Sequence, residues 1–246
     1  MLRVQGLSKS FGGINAVTDV TFTIESKKIT ALIGPNGSGK TTVFNCCSGI
    51  IQADKGEIWL DDIAFTNLSA FERAKHGLSR TFQLLRVFTH LTVEENLLLA
   101  LEDHDSSVIE SFIYGKRISE AKQKRVSEEL AFWGLESIRM IPAGHCSFGQ
   151  QKLIGLARAL LLPHRMVLLD EPVAGVNPRL RQELATLLCA LRTRGETLFV
   201  IEHDMDFIMP IADHVIVMNE GTIFRQGPPS EIQRDAGVLA IYLGNV

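Results

Sequence analysis

The sequence predicts an α/β protein with a parallel-sheet core, an antiparallel β subdomain at the N-terminal end and a helical insert. Three observations carry this expectation. Short strands at 29–33, 166–169 and 197–201 are apolar apart from Thr30 and Thr197, as buried parallel strands covered on both faces are. The segment 16–24 instead alternates, setting Val17, Asp19 and Thr21 against Val20, Phe22 and Ile24, which suits an antiparallel sheet with one half-exposed face. Between these regions, 87–162 carries mainly helical signals.

Taken in order, LRVQGL (2–7), AVTDVTFTI (16–24) and EIWLDD (57–62) form the antiparallel set. Thr92-Val93-Glu94-Glu95 is a capping-box pattern, Thr92 to Glu95, that starts a helix through Leu97–Ala100. A second helix covers 117–133, with a Glu120/Lys124 pair at i,i+4, and stops at Gly134. A third runs from Ser147 to Leu162, apolar at 153, 154, 156, 157, 160 and 161. After Pro163 strands return, with a helix over 179–194 closed by Gly195, a hairpin around Asn219-Glu220-Gly221 and a last helix near 229–243. There is no internal repeat and no low-complexity linker. The expected organisation is therefore one unit over 1–246, built from a core (1–86 with 163–246) and a helical part (87–162).

Composition narrows the function classes. The 246 residues are 46% hydrophobic and 22% charged, close to an average globular chain. Lys plus Arg is 25 and Asp plus Glu is 28, a net charge of −3, without the basic excess that holds nucleic acid by its phosphates. No apolar run reaches the roughly 18 residues a membrane span needs. The opening MLRVQGLSKS has no apolar stretch of a secretory signal, so none is expected. Cys46, Cys47, Cys146 and Cys189 form no C-x-x-C pair and read as buried thiols in a reducing compartment.

The strongest chemical signal is GPNGSGKTT: Gly34, Pro35, Asn36, Gly37, Ser38, Gly39, Lys40, Thr41 and Thr42. It fits G-x-x-x-x-G-K-[ST], follows a strand and opens a helix, which is the context a phosphate-binding loop requires. Its glycines let successive N–H groups turn toward phosphate oxygens, and the helix N-terminus adds partial positive charge. Lys40 reaches β- and γ-phosphates, and the Thr41 hydroxyl is a ligand for Mg²⁺.

A second signal is MVLLDEP (166–172), a buried strand ending in two adjacent carboxylates. Such charges are costly to desolvate unless something at the sheet edge uses them. In parallel sheets the ligand crevice lies at the carboxyl ends of strands, which puts Asp170 in place for the Mg²⁺ shell and Glu171 for an attacking water. A third strand, 197–201, ends in Glu202-His203-Asp204, so three strands deliver polar residues at their C-terminal ends. That convergence points His203 at the γ-phosphate or the water. Together these marks predict a P-loop nucleotide hydrolase. No N-K-x-D guanine-reading motif is present, which argues against a small GTPase.

Cys146-Ser147-Phe148-Gly149-Gln150 stands before the helix 151–162, about twenty residues upstream of Asp170. It resembles the signature pentapeptide of the ABC family, leucine-serine-glycine-glycine-glutamine, with Cys146 and Phe148 as departures. Ser147 with Gln150 is also a capping box, and both readings leave a hydroxyl and free amides at a helix N-terminus. Matches extend over essentially the whole chain, which resembles the ATP-binding subunit of an ABC transporter, a RecA-like P-loop NTPase core in an ABC cassette.

The resemblance implies that Phe11, in Lys-Ser-Phe-Gly-Gly, stacks on adenine. It implies that Gln83, in Arg-Thr-Phe-Gln, touches Mg²⁺ or water and reports to membrane subunits, and that Asn177 makes partner contact. It implies that Ser147, Gly149 and Gln150 cover ATP held by a second cassette, a homodimer partner or a related paralogue. KTTVFNC, SRTFQ, FGQQ, AGVNP, IEHDMDFIM and AIYLG narrow the likeness to the branched-chain amino-acid importer group. Urea, amides or another small solute are alternative cargoes, and a non-transport ABC ATPase is the alternative of another class. The implied partners are integral-membrane permease subunits and, indirectly, a solute-binding protein. The implied place is the cytoplasm, peripheral on the inner face of the membrane. Leu84, Leu85, Val87, Phe88 and Leu91 are candidate docking contacts.

Overall fold

The computed structural model describes residues 1–81, 87–101 and 119–243. The chain divides into two compact units. One comprises 1–80, 164–174 and 181–246; the other comprises 81–163 and 175–180.

The first unit contains two sheets. In the smaller, β1 (Leu2–Phe11), β2 (Ile14–Ile24), β4 (Lys55–Leu60) and β5 (Ile63–Ala64) lie antiparallel in the order β2-β1-β4-β5. In the larger, β3 (Ile29–Ile33), β6 (Leu78–Arg80), β7 (Met166–Asp170), β8 (Leu198–Ile201), β9 (His214–Asn219) and β10 (Thr222–Gly227) run in the order β10-β9-β3-β8-β7-β6. The β9-β3-β8-β7-β6 run is parallel, and β10 is an antiparallel edge strand. Every residue of β3, β7 and β8 is buried, Thr30 and Asp170 included, as in a parallel strand covered on both faces. Helix α1 (Lys40–Ser48) contributes Val43, Phe44, Cys46 and Cys47 to the same core as Phe22 and Phe199, and the short helices α2 (Ala70–Lys75) and α7 (Met205–Ile208) belong to the same unit.

Three local departures from the simple pattern have physical causes. Val17 and Val20 are both buried, although alternation would place them on opposite faces. Across β1, Leu7 faces Val20 while Lys9 faces Val17, so β2 carries one extra residue, a bulge marked by Asp19 at φ 50°. The strand expected at 57–62 starts earlier, at Lys55, and stops at Leu60, because Asp61 turns the chain at φ 51°. The last expected helix is broken into α8 (Pro229–Ile232) and α9 (Ala236–Leu243), the second begun by Asp235, whose Oδ1 accepts from Val238 N at 3.0 Å. The hairpin between β9 and β10 turns on Glu220 and Gly221, both at positive φ as its tight two-residue turn demands.

In the second unit, α3 (Val93–Ala100), α4 (Glu120–Phe132) and α5 (Phe148–Leu161) are the described α-helices, besides the first turn of α6 (Pro178–Thr193). Both expected capping boxes form: Thr92 with Glu95, and Ser147 with Gln150. On α4, Lys124 pairs with Glu128 at 3.9 Å rather than with Glu120. Both partners are exposed, so the exchange carries little energy. Residues 117 and 118 of the expected helix lie outside the described residues.

Candidate nucleotide site

The loop 34–39 leaves the carboxyl end of β3 and enters α1, and two of its glycines are sterically obligatory. A Cβ at Gly34 would stand 2.2 Å from Met218 O, and one at Gly39 2.5 Å from Ala16 O. Both residues also have positive φ, so backbone geometry and close approach exclude side chains together. Lys40 is buried at the first position of α1, where its Nζ donates to Gly34 O and Pro35 O, each at 2.8 Å. Burial lowers its pKa, with the Glu171 carboxylate acting in the opposite sense. The Ser38 hydroxyl is buried with no partner among the described residues. Asn36, Gly37 and Thr41 are exposed, and Pro35 and Thr42 half-buried.

Two further strand ends converge with this loop in the same sheet. β7 ends in Asp170, buried, whose carboxyl is pushed up by burial and pulled back by the Arg80 guanidinium. Arg80 Nη2 donates to Asp170 Oδ2 at 3.0 Å. Glu171, the next residue, is held at φ 47° while its N–H donates to Ile201 O at 3.1 Å. A left-handed glutamate costs about 1–2 kcal/mol, a strain of the kind that clusters at functional sites. From the end of β8, His203 Nδ1 lies 3.6 Å from Glu171 Oε1, with the imidazole more than half exposed. Glu202, before it, is fully buried. Its Oε1 accepts from Val173 N at 3.1 Å, its Oε2 has no hydrogen-bond partner among the described residues, and burial raises its pKa. Phe11 is exposed at the end of β1, with Lys9 Nζ 5.5 Å from its ring centroid.

The signature-like segment belongs to the other unit. Ser147 Oγ accepts from Gln150 N at 3.3 Å, and Gln150 Oε1 accepts from Ser147 N at 2.9 Å. Phe148 is exposed, with its ring beside Gly175, and Gly149 lies against Leu180. Asn177 Oδ1 accepts from Leu180 N at 2.9 Å, so Asn177 caps α6, whose first residue is Pro178. Gln83, Leu84 and Leu85 lie outside the described residues. Phe88 is exposed under the Arg158 guanidinium, 4.6 Å from its centroid, while Val87 and Leu91 are half-buried.

Sequence reasoning passed over two residues, Arg80 and Glu202. A charged residue ending a short buried strand was the available signal in both cases. Their partners are 90 and 29 residues away in sequence, so only the fold reveals them.

A glycine-cradled loop closed by a lysine, with an acid pair ending a neighbouring parallel strand, defines a P-loop nucleotide-binding protein. Comparison with known proteins specifies it further. The family model described as "ABC transporter" matches residues 17–174, so the chain belongs to the ABC transporter family. It is 37% identical over 250 residues to the high-affinity branched-chain amino acid transport ATP-binding protein BraF of Pseudomonas aeruginosa, covering 99% of this chain and 98% of that protein. It is 36% identical, with the same coverage, to the corresponding LivG protein of Escherichia coli. Among solved structures, it resembles the ADP conformation of MJ1267, an ATP-binding cassette of an ABC transporter, with TM-score 0.86, 33% identity and 100% and 99% of the two chains covered. It also resembles the dimeric post-hydrolysis state of the cassette MJ0796 bound to ADP and Pi, with TM-score 0.77, 26% identity and 93% and 99% covered. The chain is an ATP-hydrolysing cassette, and the expected α/β P-loop fold is the one found.

Proposed function

We propose that this cassette powers a membrane permease importing branched-chain amino acids, working as one of a pair at the inner face of the membrane. The observation that carries the catalytic part is the convergence of three parallel strand ends: β3 with the loop to Lys40, β7 with Asp170 and Glu171, and β8 with His203. Full-length similarity to relatives named for branched-chain amino acid transport supports the cargo. No helix among the described residues is long and apolar enough to cross a membrane, so in this reading other chains supply the span.

In the proposed site, Phe11 stacks on adenine, and backbone N–H groups of 34–42 with Lys40 hold the phosphates. The buried, unpartnered Ser38 hydroxyl fits an anionic oxygen. Thr41 and Asp170, with Gln83 in the same role, supply oxygen donors of the kind Mg²⁺ prefers, alongside phosphate. The ion, when bound, neutralises charge that develops on the phosphates. Glu171 takes the proton of the attacking water, and His203 orients that water or the γ-phosphate. Ser147, Gly149 and Gln150 close over the nucleotide held by the partner cassette, so each chain provides half of each site. Both Ser147 and Gln150 are bound within their own capping box, so that closure needs only the exposed hydroxyl and the N-terminal amides of α5.

The test is affinity purification of the chain from membranes, followed by reconstitution with its co-purified permease and binding protein. Recovery of a permease and stimulation of ATPase by a leucine-loaded binding protein are expected. Recovery with ribosomes or DNA and no permease would sink the transport reading. Stimulation by urea or an amide alone would replace the cargo.

A further inference from the structure

We infer that Arg80 is the positioning residue that holds the metal-binding carboxylate of Asp170 in place, an inference that rests on Asp170 having the role proposed above. Arg80 ends β6, whose neighbour β7 ends in Asp170. Its side chain is only 10% exposed and, among the described residues, reaches three acceptors at once. Nη2 donates to Asp170 Oδ2 at 3.0 Å, while Nη1 donates to Asn45 Oδ1 at 2.7 Å and Ser48 Oγ at 2.6 Å. The guanidinium carbon lies 4.9 Å from the centroid of the Phe44 ring. Phe44, Asn45 and Ser48 all belong to α1, the helix that begins with Lys40 and Thr41.

One planar cation therefore ties together the strand that leads toward Gln83, the helix bearing Thr41 and the strand bearing Asp170. A guanidinium is rigid, permanently charged and forked. Anchored on α1 through Nη1 and over the Phe44 ring, it cannot follow a rotation of the Asp170 carboxylate. It fixes Oδ2 relative to Thr41, the two donors assigned to one ion. Lysine would carry the charge but could not span the three acceptors, because it is a point charge on a flexible stem. Groups that orient a metal ligand in this way typically contribute about 10–100-fold to metal affinity.

The test uses the full-length protein with ADP, and Mn²⁺ observed by electron paramagnetic resonance. Arg80→Gln should weaken Mn²⁺ binding to the ADP complex about 10–100-fold. ADP affinity in EDTA should stay at the wild-type value. Arg80→Lys should remain weakened, since charge alone does not restore the fork. Wild-type Mn²⁺ affinity in Arg80→Gln, or an equal loss of ADP affinity in EDTA, overturns the inference. Should Arg80→Gln not fold, the double variant Asn45→Ala/Ser48→Ala keeps the ion pair and removes the Nη1 anchors. It should lose Mn²⁺ affinity too, and unchanged affinity overturns the inference. Asp170→Asn separates the two claims: wild-type Mn²⁺ affinity in that variant removes Asp170 from the metal role itself. Its loss of affinity alongside a normal Arg80→Gln rejects only the positioning role.

Discussion

Glu202 and Val173 are joined by a 3.1 Å hydrogen bond from the Val173 N–H to Glu202 Oε1. The bond links the residue before His203 to the loop two residues beyond Glu171, and the carboxylate that makes it is fully buried. Burial raises the Glu202 pKa above the ordinary carboxylate value, so the native state holds its proton to higher pH than the unfolded state. The contribution to stability is therefore present below the ordinary glutamate range and is lost as pH rises through the raised value. Glu202→Gln keeps an acceptor for Val173 without the charge. It should melt higher than wild type at neutral pH by a few degrees, since about 1 kcal/mol is worth about 2–4 °C in a chain this long. The gap should narrow as pH falls toward the ordinary carboxylate range. Glu202→Ala, which strands the buried N–H, should lose about 1–3 kcal/mol. A calorimetric pH series on the three proteins checks both signs.

Lys40 is a buried cation whose hydrogen bonds go to two loop carbonyls, and burial lowers its pKa. The charged form is thus less favourable folded than unfolded, a cost present at neutral pH. Lys40→Met should leave intrinsic stability unchanged or raise it, while removing the thermal shift that ATP confers. For wild type, ATP at 100 times its Kd should add about 2.7 kcal/mol. A variant that melts normally alone and still gains that shift would remove Lys40 from phosphate binding.

Glu171 is held at φ 47° beside His203, with its Oε1 3.6 Å from the imidazole Nδ1. Glu171→Gln preserves volume and hydrogen bonding but cannot take a proton from water. It should bind ATP as wild type, lose about 10²–10⁴ in turnover, and accumulate as a dimer on gel filtration with ATP. Normal turnover would take the base role away from this residue.

The site was legible where chemistry lies in consecutive residues. The loop 34–42, the acid pair 170–171 and His203 each end a strand whose apolar run marks it as buried, and the sheet brings those ends together. The capping boxes at Thr92 and Ser147 were legible for the same reason, since both partners lie within one turn. Two kinds of feature were not. The β2 bulge depends on register against β1, which no alternation pattern contains. Arg80 and Glu202 acquire meaning from partners on distant strands and loops. A buried charge at a strand end is visible in sequence, but its partner is not.

The cysteines offer a direct check on packing. Burial pushes the thiols of Cys46 and Cys47 up to about 11 and about 12, and Cys146 is raised as well. Thiolate is the reactive form, so at pH 8 these three should be inert in the folded protein. Cys189, half-exposed on α6, should react first with a thiol reagent. One fast thiol per chain is expected, with the other three released only on unfolding. Fast labelling of Cys46 or Cys47 would contradict the packing of α1.

If each ATP is held between Lys40 of one chain and Ser147 of its partner, two inactive variants should complement each other. Lys40→Ala has no working phosphate loop, and Ser147→Ala has a weakened cover, so homodimers of either lack an intact site. A mixed dimer pairs the good loop of one chain with the good Ser147 of the other, and its second site combines both defects. In a symmetric homodimer with random exchange, an equimolar mixture makes half of the dimers mixed, and each holds one complete site. About a quarter of the wild-type sites should therefore return on mixing. ATPase assayed across mixing ratios, with heterodimer formation confirmed by differential tags, measures this. No recovery in confirmed mixed dimers would mean that Lys40 and Ser147 serve nucleotide within the same chain, and the shared-site reading would fall.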